Sequence, residues 1–227
     1  DYILALAPGT YSPDSEVLDI PLTLEQNVTI NGSGAVLDGS GNQDSAQNPW
    51  TMGFIVSPGA SNITIQNLTI ENFEQGLVVQ SDGGCVDLIN VVIGSCDTGL
   101  KLVGSYQTQI DLQEPPNSSV ITGCTTGIEI TADSAGNAIR NGTVSNNTGD
   151  GIVVDASNVA PSDNLITDID VLDNAKTGIV LRGGAGTLVT DCKISGNNSG
   201  IDQDGYGGIA VLACCASLKW NTIENNQ

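Results

Sequence analysis

Histidine is absent from all 227 residues, and aromatic and basic side chains are scarce. Without histidine no Cys/His zinc site can form, and a Ser or Cys nucleophile lacks the base that ordinarily activates it. Six Lys and Arg stand against 26 Asp and Glu, a formal charge of −20, so nucleic acid or an anionic membrane would meet repulsion. No apolar run is long enough to span a bilayer. Neither a nucleic-acid partner nor membrane insertion is therefore expected. No leader opens the chain; that start fits a mature or trimmed N-terminus and does not argue for a cytoplasmic home. With two Trp, two Phe and four Tyr, a core has to be built from Ile, Val and Leu, which favour strands and pack as repeated layers.

The acidity has two readings: a solvated surface, or a place for a divalent cation. No cofactor is implied, and calcium is the one ion such a surface invites. Six cysteines, at 85, 96, 124, 192, 214 and 215, include no CxxC pair, which favours disulfides over metal ligation. Buried reduced thiols are the alternative.

What is present is repetition. Short apolar strands follow a glycine at Gly76-Leu77-Val78-Val79, Gly99-Leu100-Lys101-Leu102, Gly127-Ile128-Glu129-Ile130, Gly151-Ile152-Val153-Val154 and Gly178-Ile179-Val180-Leu181. Gly200-Ile201 and Gly208-Ile209 continue the theme. The intervals from Gly76 to Gly178 are 23, 28, 24 and 27 residues, within the range of solenoid repeats. Upstream, Ile63 and Ile65 fall on one face of a strand, Leu68 and Ile70 form the next inward pair, and Asn67 sits at the corner between them. Asn90, Asn117, Asn141 and Asp191 stand nine or ten residues before Gly99, Gly127, Gly151 and Gly200, and so read as equivalent corners. Stacked corner amides could form a ladder, or simply be an Asn-rich turn.

Such short intervals leave no room for crossover helices, and a coil of three short parallel strands fits them. The fold class expected is all-β, a right-handed single-stranded parallel β-helix, and a fragment of a longer chain. One domain covers 1–227, with the start of the solenoid at about 1–37 and repeated coils over 60–227. The polar stretch from Asp38 to Met52 is an excursion between early coils. No capping segment reads at the C-terminal end, so the native chain is expected to continue. Segments 104–118, 131–138, 155–163 and 202–207 read as projecting loops, a candidate binding face if they share one side. A β-sandwich would explain the strands but not the recurring corner-to-glycine interval.

Cys96 and Cys124 each stand three residues before a repeat glycine, so they occupy equivalent places on adjacent coils. A disulfide between them is expected, with a stack of thiols as the alternative. Asn-x-Ser/Thr sites at Asn27, Asn31, Asn62, Asn117, Asn141, Asn146 and Asn197 are candidate N-glycosylation positions; Asn67 also matches but is expected to point into the turn stack.

The segments Ala7-Pro8-Gly9-Thr10-Tyr11, Asn141-Gly142-Thr143-Val144-Ser145-Asn146-Asn147 and Ile194-Ser195-Gly196-Asn197-Asn198-Ser199-Gly200-Ile201 resemble the pectin-lyase-like superfamily over nearly the whole chain. The resemblance implies a right-handed parallel β-helix and leaves activity open, because the superfamily holds lyases, hydrolases, epimerases, tailspikes and adhesins. Its polygalacturonase-like members use Asn-Thr-Asp, Asp-Asp, Gly-His-Gly and Arg-Ile-Lys motifs, and its alginate-epimerase-like members Asp-Pro-His-Glu. This chain has no histidine and no Asp pair, and Asp202-Gln203-Asp204 matches the first motif only loosely.

Asp168, Asp170, Asp173, Asp191, Asp202 and Asp204 are the carboxylates that could supply a glycosidase pair. Arg182 is the candidate lyase base or carboxylate clamp, its ordinary role being an ion pair with an Asp on a neighbouring coil. Trp50, Trp220, Tyr106 and Tyr206 are candidate sugar platforms. No catalytic residue is assigned. The function expected is a structural or adhesive scaffold module of an extracellular or cell-surface glycoprotein assembly. Its partners would be other subunits or further domains of its own chain, and carbohydrate. The alternative is a polysaccharide-processing lyase or glycoside hydrolase.

Overall fold

Alternating Ile, Val or Leu with polar residues makes each short segment a strand with one apolar edge. That edge becomes a core only when coils stack. The computed structural model describes residues 2–12, 21–40, 52–131, 133–155, 162–183, 185–198, 207–212 and 215–227. Every strand pairing among them is parallel, and none of these residues is in a helix, so no helix among the described residues is long and apolar enough to cross a membrane.

Each coil contributes one strand to each of three faces. The glycine face stacks Leu22–Leu24, Met52–Val56, Gln75–Val79, Thr98–Leu102, Thr126–Ile130, Ile152–Asp155, Ile179–Arg182 and Ile209–Leu212. The second face takes Gln109–Asp111, Ala138–Arg140, Leu165–Thr167, Ala185–Thr190 and Cys215–Lys219. The third takes Val120–Thr122, Thr143–Ser145, Asp170–Leu172, Lys193–Ser195 and Thr222–Glu224. In the early coils Val28–Asp38, Ile63–Glu71 and Cys85–Gly94 bend through the corner and serve both faces. Stacking is already in register at Tyr2–Ala5 against Val28–Asn31, so coils are regular well before residue 60.

The core is a set of like-on-like columns. Phe54, Leu77, Leu100, Ile128, Ile152 and Ile179 pair in register and are each fully buried. Ile63, Val86, Ile110, Ile139, Ile166 and Val189 form a second column, and Ile70, Ile93, Ile121, Val144, Val171 and Ile194 a third. Ile63, Ile65, Leu68 and Ile70 all face inward, as their alternation implies.

The repeat glycines are needed for space rather than for an unusual φ. A Cβ on Gly99 would stand 2.8 Å from the carbonyl of Gly127 and 2.5 Å from Ile121 Cγ2; on Gly151 it would meet Gly178 O at 2.6 Å and the Asn174 amide nitrogen at 2.8 Å. The column runs Gly53, Gly76, Gly99, Gly127, Gly151, Gly178, Gly208. Gly208 therefore continues it, and the nine-residue offset from Asp191 to Gly200 marks no second corner-to-glycine step; Gly200 itself lies outside the described residues.

The corners use left-handed backbone, which Asn and Asp tolerate best. Asn67, Asn90, Asn141 and Asp191 have φ of 54, 53, 63 and 56°, as expected of corners. Asn90 donates to Asn67 at 3.0 Å and Asn67 to Asn31 at 3.3 Å, a short and largely exposed ladder. Asn117 instead sits in an exposed loop, where its carbonyl accepts the Asn90 N–H.

A longer ladder lies inside the next corner, between the third and glycine faces. Asn147 donates to Asn174 at 2.8 Å, Asn174 to Asn197 at 2.9 Å, and Asn197 to Asn226 at 2.9 Å. Each amide nitrogen of the first three also reaches a carbonyl of the preceding coil, at Ile121, Val144 and Val171. Each amide oxygen from Asn174 onward takes the backbone N–H of the preceding Asn as well. Another buried polar column, Ser81, Ser105, Thr108, Asn137 and Asn164, closes the remaining corner.

Two loop expectations change. Residues 104–118 are two turns on different corners, separated by the strand Gln109–Asp111, and only 104–108 shares a corner with 131–137. Residues 41–51, 156–161 and 199–206 lie outside the described residues, so the excursion and the remaining loops fall there.

Removing one rung strands the polar groups on both sides of it. Asn174→Ala is expected to lower unfolding free energy by about 2–4 kcal/mol, and Gly151→Ala by at least about 2 kcal/mol, in urea titrations followed by circular dichroism. A loss under ~0.5 kcal/mol in either would contradict the column account.

Candidate functional site

The corner between the second and third faces changes register once. Up to Asn90 a strand bends through it; beyond the loop 112–118 the corner is cut short at Asn141, Asp168, Asp191 and Trp220, which succeed one another on adjacent coils. The shift opens a groove of about 410 Å³, lined by Glu114, Pro115 and Ser118 at one end and Trp220 at the other. With coils roughly 4.8 Å apart, the row from Asn141 to Trp220 is about 14 Å long.

Three of the six candidate carboxylates line this groove: Asp168, Asp170 and Asp191. Asp168 and Asp191 are held alike, each accepting the hydroxyl of the preceding threonine at 2.7 Å, from Thr167 and Thr190. One oxygen of each carboxylate is thereby fixed. Lys193 stands in register with Asp170 and is the cation of the site. Asp173 lies at a different corner, with its Oδ1 against Gly196. Asp202 and Asp204 fall outside the described residues. Arg182 is on the glycine face, where the register sets it beside Asp155, so it takes no part in the groove. Among the described residues no three acidic or thiol groups converge to hold a metal ion.

Trp220 is 80% exposed and holds a φ of 52°, an uncommon backbone for a large side chain. It lines the groove with its side chain largely open to solvent. Tyr106 is exposed on another corner, and Trp50 and Tyr206 lie outside the described residues.

Behind the groove, Asn141 is fixed by a 2.7 Å bond from its amide nitrogen to Asp111, which also takes the Arg140 guanidinium at 2.9 Å. Asp87, next to Asp111 on the preceding coil, has its carboxyl pushed up by burial and then by the charge of Asp111, against a smaller opposing pull from Arg140. Asp38 is pushed up by burial too, but bonds from Asn72 and Ser40 outweigh that and hold it below the ordinary range.

Cys192 lines the groove floor; burial pushes its thiol up to about 11, so it is a packed thiol and not a nucleophile at neutral pH. Cys96 and Cys124 are free thiols in contact, on adjacent coils, and Cys85 is free and exposed. The two stand as a stack of thiols, each the other's neighbour on the next coil. In-register strands keep the two Cα→Cβ directions parallel, which holds the Cβ atoms near the strand spacing of ~4.8 Å, beyond the ~3.8 Å a disulfide prefers. Cys214 and the Cys215 side chain lie outside the described set.

The glycosylation candidates separate by exposure. Asn62, Asn117 and Asn146 are exposed, and Asn27, Asn31 and Asn141 half-buried. Asn197 is fully buried with its amide nitrogen bound to Val171 O and Asn226, so a folded chain has no room for a glycan there and it leaves the candidate set. Asn67 is half-buried within the outer ladder.

Residues 53–227 match the family model described as a right handed beta helix region. No curated protein matches the chain in sequence. Among solved structures it is similar to the periplasmic alginate epimerase AlgG, at 12% identity over 86% of this chain with a TM-score of 0.57. It is also similar to the A-module of the Azotobacter vinelandii mannuronan C-5 epimerase AlgE4, at 14% identity over 96% of this chain with a TM-score of 0.60. The chain spans 46% of the first and 67% of the second. PfbA, a surface adhesin of Streptococcus pneumoniae, aligns over 88% of this chain and 57% of its own, at 12% identity and a TM-score of 0.32. At these identities the first two likenesses concern the fold alone.

Asp87 gives a pH test of the cluster behind the groove. A carboxyl whose folded pKa is raised costs stability when ionised, a cost present above that folded pKa and absent below the unfolded value. Asp87→Asn is expected to raise the thermal midpoint at pH 7, with the gain vanishing as pH falls through the ordinary carboxylate range. A gain that persists unchanged at acid pH would show that charge is not its source.

Proposed function

The chain belongs to the right-handed β-helix family, and from that premise we propose that it is a rigid extracellular scaffold module whose corner groove holds an extended glycan without cleaving it. The observation that carries the reading is the groove itself. It is made by equivalent corner residues of successive coils, so it presents Asn141, Asp168, Asp191 and the exposed Trp220 at even spacing along the rod. A linear polymer of hydroxyl-rich residues fits such a site: carboxylate and amide oxygens accept its hydroxyls, and an indole face packs on a sugar ring. The volume is within the range of small-ligand sites.

Rigidity is supported by the interior columns and the Asn147-to-Asn226 ladder, which tie each coil to the next. Extracellular display is supported by the strong acidity and by the exposed acceptors Asn62, Asn117 and Asn146, which we assign as glycan positions if the chain passes through a glycosylating compartment. Further domains or subunits would be its protein partners.

A second reading, a polysaccharide-processing enzyme, is favoured by one observation: Asp168, Asp170 and Asp191 gather beside Lys193 in an open groove. Glycan-array binding followed by incubation with the bound polymer separates the two. The scaffold reading expects retention without new reducing ends, unsaturated uronate or C-5 inversion, and about ten-fold weaker binding by Trp220→Ala. Any of those products, abolished by Asp168→Asn or Asp191→Asn, would establish the enzyme instead. No retention of any glycan would remove the groove from both readings.

A further inference from the structure

The interior column that carries the Asn ladder does not start as asparagine. Read along the rod, the same position is Phe73, Cys96, Cys124, Asn147, Asn174, Asn197 and Asn226, as the pairing of the preceding strands requires. The amide bonds join coils from Asn147 onward, and the ladder ends on the N–H of Cys124, which donates to Asn147 Oδ1 at 2.9 Å. Between the coils of Cys96 and Cys124 this column has no amide tie.

The two thiols are placed alike. Cys96 Sγ packs above Gly76 and Cys124 Sγ above Gly99, at 3.3 and 3.2 Å from where a Cβ would stand. The backbone joins them directly, Thr125 N–H donating to Cys96 O at 3.0 Å, and Thr98 pairs with Thr126 two residues on. Both side chains are buried, yet each is flanked by exposed residues, Ser95 and Asp97 around Cys96, Gly123 and Thr125 around Cys124. The pair is therefore only one residue beneath the surface of a corner. Each thiol also caps a nearby carbonyl, Gly94 O at 3.2 Å and Thr122 O at 3.6 Å.

We infer that Cys96 and Cys124 are a two-electron oxidation site, at which a small hydroperoxide converts the thiol stack into a coil-to-coil disulfide where the amide ladder stops. Contact with Cys124 and then burial hold the Cys96 thiol above its ordinary range, while contact with Cys96 lowers that of Cys124. Cys124 is accordingly the attacking sulfur and Cys96 the resolving one. The Cys124 thiolate attacks the terminal peroxide oxygen; an S–O bond forms, the O–O bond breaks, and the alkoxide leaves and takes a proton from water. Cys96 sulfur then attacks Cys124 Sγ; the S–S bond forms, the S–O bond breaks, and hydroxide leaves with the Cys96 proton as water. In sum two thiols and one hydroperoxide give one disulfide, one alcohol or water, and one water. Closing the bond draws the two Cβ atoms together by about 1 Å, which takes a small backbone shift at the two corners, while a χ1 change at each cysteine brings the Sγ atoms within bonding distance.

The test is hydrogen peroxide titration of the native protein, followed by alkylation, intact mass and peptide mapping. The expected product lacks the mass of two hydrogens, contains a Cys96–Cys124 linked peptide, and melts roughly 5 °C or more above the reduced form. In Cys96→Ser the sulfenic acid should persist on Cys124 and be captured by dimedone. Exposed Cys85 serves as the internal reference for peroxide reaching the protein. If Cys85 oxidises while Cys96 and Cys124 remain fully alkylatable, the inference fails. It fails equally if the two take up oxygen separately, or if either links to another cysteine. Should Cys96→Ser not fold, the wild-type peptide map alone decides.

Discussion

Parallel in-register stacking is the constraint on which everything else rests. Neighbouring coils sit one strand spacing apart, so each side chain meets the equivalent side chain above and below it. A position is then chosen for how well it stacks on itself. Isoleucine on isoleucine fills a column at no polar cost, and the mostly fully buried columns of the three faces do this over six coils. A polar residue inside the coil is tolerated only if the next coil supplies its partner. Asn147, Asn174, Asn197 and Asn226 meet that condition because an amide has a donor and an acceptor at once and can pass both along the rod.

The same constraint explains the glycines and links them to the ladder. Where the Asn amide turns inward, the strand beginning the glycine face passes so close that a Cβ on Gly127, Gly151 or Gly178 would stand 2.8 Å from an amide nitrogen. Glycine and asparagine are two halves of one packing solution. At Gly76 and Gly99 the facing group is a thiol, at a slightly longer distance, and at Gly53 the Phe73 ring, so the solution holds as the corner residue changes.

Much of this was legible in the residues. The glycine interval disclosed the coil, alternation around Asn67 disclosed which side chains face inward, and the offset from corner to glycine located the left-handed positions at Asn67, Asn90, Asn141 and Asp191. The long ladder was not legible. Asn147, Asn174 and Asn197 stand among other polar residues at turns, and linear sequence does not say which amide points inward. A signal existed nonetheless: Cys96 and Cys124 were recognised as equivalent, and extending their offset of three residues before a repeat glycine beyond Cys124 leads close to Asn147. Gly200 misled because Asp191 repeats the nine-residue offset, whereas the pairing of Ile179 with Ile209 gives the column to Gly208. The groove was only partly visible, since its carboxylates were named but the register shift that gathers them depends on the 112–118 loop, a three-dimensional event.

That shift also decides where chemistry can reside. Inward positions are committed to stacking, and outward positions along the straight corner of Ser33, Asn67 and Asn90 leave a smaller concavity of about 320 Å³. The groove of about 410 Å³ lies where the corner is displaced from its neighbours, and the loop carrying Glu114, Pro115 and Ser118 sits at that displacement between Asn90 and Asn141. Beyond it the corner residues are free of the core, so Asn, Asp and Trp succeed one another at one backbone position, all with φ near 55–63° or just below. Trp220 is the informative member: a bulky residue in left-handed backbone lacks the local hydrogen bond that makes Asn or Asp comfortable there, at a cost on the order of 1 kcal/mol. Its indole lines the same groove as Asn141, Asp168 and Asp191. One row of equivalent corners thus exposes an amide, two carboxylates and an indole at a fixed spacing, and that chemical variety on a rigid frame is why the groove is the surface on which function is sought.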